Sequence, residues 1–166
     1  MPRARLLGVS FTSFAESMMP TMKFLKYDES YFDSCIRLFD ENCPNYFTEN
    51  EKEDYIEFLK GNTSGYFVVA IGPIIVSAFG LITKPDSIRG RLSWILVSSE
   101  SKGNGLGAKM MSFVKNAAIE KELFAIDIAA SHLSAPFFKK FGAKRLKETT
   151  DGWGQGMHRI DMELKL

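Results

Sequence analysis

Apolar residues change their spacing several times along the chain, and each change marks an element. Met22 to Tyr27 reads as a short strand, after which Phe32, Cys35, Ile36 and Phe39 recur at three and four residues, the period of a helix with one buried stripe. That helix is expected over 29–42, with Pro44 stopping it. Thr48 followed by Glu51 forms a capping box, whose reciprocal hydrogen bonds satisfy orphan amides at a helix start. A second helix follows and turns Tyr55 and Leu59 inward. From Tyr66 the pattern becomes that of strands: 66–71 and 74–83 are rich in Val, Ile and Phe and flank Gly72-Pro73, which predicts a hairpin. The polar stretch 84–90 is a second turn into a strand over 91–97, so three adjacent antiparallel strands are expected.

Beyond them Leu106, Met110, Phe113, Val114 and Ala117 mark a helix ending near Lys121, and 124–130 resembles a buried strand. Ser134 as N-cap, Pro136 in a first turn and Gly142 as a stop bracket a short helix. The segments 143–149 and 157–166 close the chain as strands. In the last, Ile160, Met162, Leu164 and Leu166 alternate with Arg159, Asp161, Glu163 and Lys165, which implies one buried face. The order predicts one α/β domain over 22–166, a single mixed, mostly antiparallel sheet flanked by helices, with no internal repeat or dividing linker. Residues 1–21 are expected to be a loose extension or to precede the natural start of translation.

Composition fits that picture. A chain of 166 residues is the size of one domain and buries roughly 70% of the surface its unfolded chain exposes. With 45% hydrophobic and 25% charged residues, it lies within the ordinary globular range. Cys35 and Cys43 form no Cys-x-x-Cys pair and no histidines cluster, so neither a disulfide framework nor a metal site is expected. Arg3 and Arg5 precede an apolar run over 6–11 that is interrupted early and lacks an Ala-x-Ala site, which argues against a secretory signal; a cytoplasmic location is expected. A net charge of +1 suggests neither a nucleic-acid nor a membrane partner.

Charge is unevenly spread. Residues 28–57 carry ten Asp or Glu against two Lys or Arg, whereas 58–166 carry nine against fifteen. One reading is ordinary solvated helix surface. The functional reading is an acidic lip, including Glu49, Glu51 and Glu53, that favours a cationic amine, with Lys102 and Lys109 facing an anion.

The segment Lys102-Gly103-Asn104-Gly105-Leu106-Gly107-Ala108 leaves a strand and opens a helix, so several N–H groups point into one small concavity of the kind that attracts phosphate. Glycine lets a pyrophosphate approach the amides and permits positive φ. A structural reading is a loop that only needs glycines to turn. A rival is the dinucleotide fingerprint Gly-x-Gly-x-x-Ala at Gly103, Gly105 and Ala108, with Asp127 about 20 residues on, which would imply a nicotinamide-dependent oxidoreductase. Against it, five residues separate Gly103 from Val97 and only about 60 follow the turn, too few for a full dinucleotide fold. The Gly-Lys-Ser/Thr ending of a P-loop is absent.

The run 96–107 resembles the Arg/Gln-x-x-Gly-x-Gly/Ala signature of the GCN5-related N-acetyltransferase (GNAT) family, with Lys102 in the Arg/Gln place. Residues 131–143 resemble that family's later motif, matched at Phe137, Lys140 and Gly142, and the element order agrees from Met22 onward. The resemblance implies the GNAT fold and acetyl-coenzyme A as co-substrate. It implies that Lys102 to Ala108 hold the pyrophosphate, that main chain at Leu96 and Val97 pairs with the pantetheine arm where two strands splay, and that Ser131, Ser134, Phe137 and Phe138 line its other side. Ser131 stands where the family usually has Asn, Ser134 where it often has Ala, and Phe138 where many members have a Tyr that protonates the leaving thiolate. Phenylalanine donates no proton, although a thiol of pKa about 8.5 leaves more readily than an alkoxide.

Acetyl transfer to an amine of a small molecule or peptide needs a neutral nucleophile, an oriented thioester, a donor for the developing oxyanion and a base. The main-chain amide near Leu96 is the candidate donor. His132 is the first candidate base, because its ordinary pKa suits proton exchange near neutrality; a solvated loop histidine is the competing reading. Residues 151–156 read as a glycine-rich substrate lid with Trp153 as an aromatic anchor and His158 beside it. Trp94 and Asp127 lie on strands where core packing competes with acceptor contact, and Glu100 is expected to face solvent. A coenzyme-binding sensor or interaction domain without catalysis is the alternative function, and the chain is compatible with a homodimer.

Overall fold

The computed structural model describes residues 21–166; the extension expected over 1–21 lies outside the described residues, apart from Thr21. The elements in chain order are β1 (Met22–Lys26), α1 (Phe32–Asn42), α2 (Glu51–Lys60), β2 (Tyr66–Ile71), β3 (Ile74–Thr83), β4 (Arg89–Val97), α3 (Leu106–Glu120), β5 (Ala125–Ser131), α4 (Ala135–Lys140), β6 (Lys144–Gly154) and β7 (Met157–Lys165). The first expected helix begins instead as a 3₁₀ turn over Glu29–Tyr31, where Asp28 accepts the Ser30 amide at 2.8 Å.

The strands form one seven-stranded sheet in the order β1-β2-β3-β4-β5-β7-β6. Every neighbouring pair is antiparallel except β4 and β5, which α3 connects as a parallel crossover. Alternation along the strands sends residues into two cores. Phe79, Leu92, Ile126, Ile128, Met162 and Leu164 pack with Met110, Met111 and Val114 of α3 on one face. Tyr66, Val68, Ala78 and Leu96 pack with Cys35, Leu38 and Phe39 of α1 and Tyr55 and Leu59 of α2 on the other. Each such large side chain contributes roughly 1.5–3 kcal/mol on burial, and so both helical layers are fixed to the sheet.

The parallel pairing is short. It joins Arg89–Leu92 to Ala125–Ile128 and stops, while β5 continues to pair with β7 as far as Ser131 and Arg159. Beyond Leu92 the two strands diverge into a wedge. The divergence begins at a bulge in β4: Ala78 faces Leu96 but Gly80 faces Ser93, so β4 carries one extra residue there, and Trp94 adopts φ of 49°. A bulge bends its strand and re-aims the side chains beside it.

Two expectations need correction. The lid expected over 151–156 is largely strand, because β6 runs to Gly154 and pairs there with Met157. Trp153 fixes this hairpin by donating its indole N–H to the Ala130 carbonyl at 3.0 Å, and Gly154 and Gly156 take positive φ. Asp127, the ribose acceptor of the dinucleotide reading, is held by Arg89 at 2.5 and 3.1 Å, and one parallel strand pair does not make a doubly wound sheet.

Candidate functional site

The connection from β4 to α3 is built by glycine geometry. Gly103 and Gly105 have φ of 84° and 74°, and a Cβ on either would meet nothing within 4 Å, so conformation requires glycine there and the space in front of the turn is open. Gly107 is required for a different reason: a Cβ there would stand 2.6 Å from the Phe137 ring, so its absence lets α3 close on α4. The first amides of α3, from Leu106 onward, have no carbonyl of their own helix to bond, while the Leu106 side chain is in the core.

The end of α1 clamps this turn. Glu41 accepts the Ser99 amide at 3.0 Å. Burial works to raise the Glu41 pKa, but the Ser99 amide, Ser98 and Arg37 outweigh it and hold the carboxyl below its usual range. The buried Asn42 donates to the Val97 carbonyl at 2.9 Å and accepts from Lys102 Nζ at 3.1 Å. Lys102 thereby lies over the Tyr46 ring, 4.2 Å from its centre, and desolvation lowers its pKa although Glu41 opposes this.

A cavity of about 340 Å³ opens beside the turn, between the end of β4 and helices α3 and α4. Val97, Lys102, Gly103, Gly107, Ser134, Phe137 and Phe138, all expected cofactor residues, line it. Asn104, Gly105, Leu106 and Ala108 belong to the turn without lining the cavity.

Main-chain direction reassigns one residue. The Ser98 amide donates to the Val76 carbonyl at 2.8 Å, so by alternation Ala78 and Leu96 form the next hydrogen-bonded pair of the β3–β4 ladder. Leu96 therefore turns its N–H and C=O toward β3, where its carbonyl also accepts the Ser77 hydroxyl at 2.8 Å. Val97 faces the wedge instead. Of the two residues expected to pair with the arm, Val97 alone turns its main chain toward the wedge.

A second cavity, of about 290 Å³, lies beside α2 and the β6–β7 hairpin. Tyr46, Phe47, Ile95 and Phe138 line both cavities, so the two meet at the wedge. Trp94, Trp153 and Ser131, singled out from the sequence, line this second space, together with Glu51, Arg91 and Arg159. Trp94 also stacks on Phe47 and Tyr55, with centroids 5.8 and 5.0 Å away, so core packing and cavity lining coexist in one ring. Ser131 and Ser134 hold each other, hydroxyl to hydroxyl at 3.0 Å and amide to hydroxyl at 3.1 Å both ways, which turns the Ser134 hydroxyl back from the expected capping of α4.

Glu51, the acidic half of the expected capping box, lines the second cavity. Its carboxylate accepts the Thr48 amide at 2.7 Å and the Thr48 hydroxyl at 3.1 Å, but no return bond from the Thr48 side chain caps α2. Desolvation raises its pKa against those hydrogen bonds, with Asp54 adding to the rise.

The histidines are elsewhere. His132 Nδ1 accepts the His158 amide at 3.1 Å, His158 Nδ1 accepts the Asp151 amide at 3.0 Å, and neither ring lines either of these two cavities. His132 stands between Ser131, which lines the second cavity, and Leu133, which lines the first, but its own ring is turned to His158. Neither cysteine lines either cavity, and burial pushes the Cys35 thiol up to about 11, far from a nucleophilic thiolate near neutrality. Among the described residues no helix is long and apolar enough to cross a membrane, and no three His, Cys, Asp or Glu gather as a metal site.

Sequence reasoning missed Asn42, Tyr46, Arg91 and Arg159. Nothing in the local pattern marks them, because tertiary folding alone brings them to the wedge.

A family model described as an acetyltransferase (GNAT) domain matches residues 37–166. No curated protein sequence matches the chain. Among solved structures, a GCN5-related N-acetyltransferase from Kribbella flavida is similar with a TM-score of 0.71 and 10% identity, over 87% of this chain and 98% of that one. Ard1 from Thermoplasma volcanium gives 0.74 and 11%, over 87% and 97%. N-acetylglutamate synthase from Neisseria gonorrhoeae, complexed with coenzyme A and N-acetyl-glutamate, gives 0.69 and 11%, over 88% of this chain and 35% of that one. At these identities the likeness is one of fold.

Proposed function

The chain belongs to the GNAT acetyltransferase family, and from that premise we propose that it transfers an acetyl group from acetyl-coenzyme A to an amine. The coenzyme occupies the cavity beside the glycine turn and the acceptor occupies the cavity beside α2. The observation that carries this reading is the meeting of the two cavities at Tyr46, Phe47, Ile95 and Phe138, where β4 and β5 part. A thioester entering from one side and an amine from the other would come together there, and proximity of this kind removes much of the entropic barrier.

The coenzyme's anionic pyrophosphate sits on the unbonded amides at the start of α3, and Gly103 and Gly105 keep side chains out of its way. Lys102 exchanges its contact with Asn42 and Tyr46 for the phosphates. The pantetheine arm runs along Val97, with Ser134 and Phe137 on its other side. A coenzyme A complex in a protein of the same fold is consistent with this use of the cavity.

Glu51 takes a proton from the bound ammonium, directly or through water, and the freed lone pair attacks the thioester carbonyl. The carbonyl oxygen becomes negative and is met by the wedge-facing Val97 amide. The C–S bond then breaks, the C–N bond remains, and the thiolate takes a proton to leave as coenzyme A thiol. The nitrogen's second proton returns through water to the proton donor, and Glu51 releases its own proton to solvent. With Phe138 lacking a hydroxyl, Tyr46 is the proton donor, being the one titratable side chain among the described residues that lines both cavities.

Phe138 also supports a second reading, a coenzyme-binding sensor that does not turn over. Melting-temperature shifts with acetyl-coenzyme A, followed by a thiol-release assay over a panel of amines, test both, since a ligand of the native state raises its stability. A shift with turnover supports the enzyme, a shift without turnover supports the sensor, and no shift overturns both.

A further inference from the structure

The charges around the second cavity are incompletely matched, and the mismatch describes the acceptor. On the sheet face where Arg89 and Arg91 stand, Arg89 binds both Asp127 and Glu163, each at 2.5 Å. Arg159 binds Asp161 at 2.9 Å and lies over the Trp153 ring, 5.0 Å from its centre. The carboxylates of this face are therefore taken. Arg91 has no carboxylate partner among the described residues; its Nε donates to the Ser93 hydroxyl at 3.3 Å, which lays the side chain along β4 toward the wedge and leaves the terminal nitrogens for another acceptor. Ser93 and Arg91 both line the cavity.

Glu51, on α2, supplies the negative charge of the same cavity, and no cation among the described residues pairs with it. An acidic group and a guanidinium, each lacking a counter-charge among the described residues, thus line a space of about 290 Å³ whose aromatic surfaces include Trp94 and Trp153. That volume is at the small end for a ligand site. A ligand carrying only an amine would match Glu51 and bring a second positive charge near Arg91 and Arg159. A ligand that also carries a carboxylate matches both, and arginine is the side chain best shaped for a carboxylate.

We infer that the acceptor is a small amino carboxylate, whose amine is received at Glu51 and whose carboxylate is received by Arg91 with Arg159 beside it. The inference rests on the acetyl-transfer reading above and narrows its acceptor class. Acetylation removes the amine's positive charge and leaves the carboxylate: one C–N bond forms, one C–S bond breaks, and coenzyme A thiol and one proton are released. The product no longer matches Glu51, which favours its departure.

The test uses the full chain with acetyl-coenzyme A and matched acceptors: glutamate and 4-aminobutyrate against 4-aminobutanamide and butylamine. A charged hydrogen bond is worth about tenfold or more in binding. The expected result is a kcat/KM at least about tenfold higher for the carboxylates, carried mainly by KM. Arg91→Gln should collapse this ratio toward one and Arg91→Lys should restore part of it, with melting temperature reporting whether each variant is folded.

Equal rates on carboxylates and neutral amines, or an Arg91→Gln variant that slows all acceptors alike, overturn the inference while leaving acetyl transfer intact. Should no amine be acetylated, the transfer reading fails, and calorimetric titration of 4-aminobutyrate into the coenzyme A-saturated protein still decides this one. Binding that Arg91→Gln abolishes supports it, and absence of binding overturns it.

Discussion

The hydroxyl of Tyr66 donates to the main-chain carbonyl of Trp94 at 2.8 Å, across two strands and beneath the aromatic layer of α2. Tyr66 is 1% exposed, and its hydroxyl lies 2.8 Å from that of Tyr55. Because the Tyr66 proton is spent on Trp94, Tyr55 must donate to Tyr66. This chain pins Trp94 in a left-handed conformation that costs of order 1–3 kcal/mol for a residue other than glycine, and the bulge so held is where β4 leaves β5.

Tyr66→Phe leaves the Trp94 carbonyl and the Tyr55 hydroxyl without their partners. A loss of about 1–3 kcal/mol is expected, read as a lower denaturant midpoint. Acetyl transfer should fall more than acetyl-coenzyme A binding, because Trp94 lines the acceptor cavity alone. An unchanged midpoint would show that packing, not the hydrogen bond, fixes the bulge.

Gly103→Asp and Gly103→Asn place comparable side chains at φ of 84° in open space, so backbone strain is shared and charge differs. The Asp variant is expected to bind acetyl-coenzyme A about tenfold or more weakly than the Asn variant, because a carboxylate repels the pyrophosphate. Calorimetry on the two folded proteins checks this, and equal affinities would remove the phosphate from the turn.

Gly107→Ala drives a methyl to 2.6 Å from Phe137, and a packed interface accommodates such an addition at a cost of typically 1–3 kcal/mol. Phe137 lines the coenzyme cavity, so the melting temperature and coenzyme affinity should fall together. A fall in neither would mean that α4 shifts freely.

Tyr46→Phe should lower kcat by roughly tenfold, less than the roughly hundredfold or more usual for acid–base assistance, because a thiolate is a tolerable leaving group. Combining it with Phe138→Tyr returns a hydroxyl to the position where the GNAT motif usually carries one, and partial recovery of kcat is expected. A fully active Tyr46→Phe protein would shift the proton donor to water.

Glu51 gives a pH dependence of opposite sign for activity and stability. Its folded pKa is raised above the ordinary 4.5 by desolvation, so the carboxylate is neutralised, and transfer lost, as pH falls through that raised value. The fold binds this proton more tightly than the unfolded chain, so the associated stability is fully present below 4.5 and lost as pH rises through the folded pKa. Glu51→Gln is therefore expected to abolish the acid limb of kcat/KM while raising the melting temperature at neutral pH, with the stability difference disappearing below 4.5. Parallel rate and melting profiles check both halves; an acid limb that persists in the variant would assign the base elsewhere.

Local pattern determined a great deal. The strands at 66–71 and 74–83 have the expected bounds, because hydrophobic period and Gly-Pro turns are properties of adjacent residues. The glycine turn was equally legible: the need for positive φ at Gly103 and Gly105 is written in residue type, and the resemblance to the GNAT motifs rested on that stretch together with residues 131–143. His132 could be noticed as a titratable group, but sequence does not say that the His158 amide occupies its Nδ1. Only the tertiary structure decided how the second cavity is completed. Tyr46, Arg91 and Arg159, which no pattern marks, and Glu51, noticed only in a capping box and an acidic stretch, are scattered over more than a hundred positions. Two helices, a bulged strand and a returning hairpin bring them to one opening, and which charges remain unmatched there depends on partners that only folding supplies.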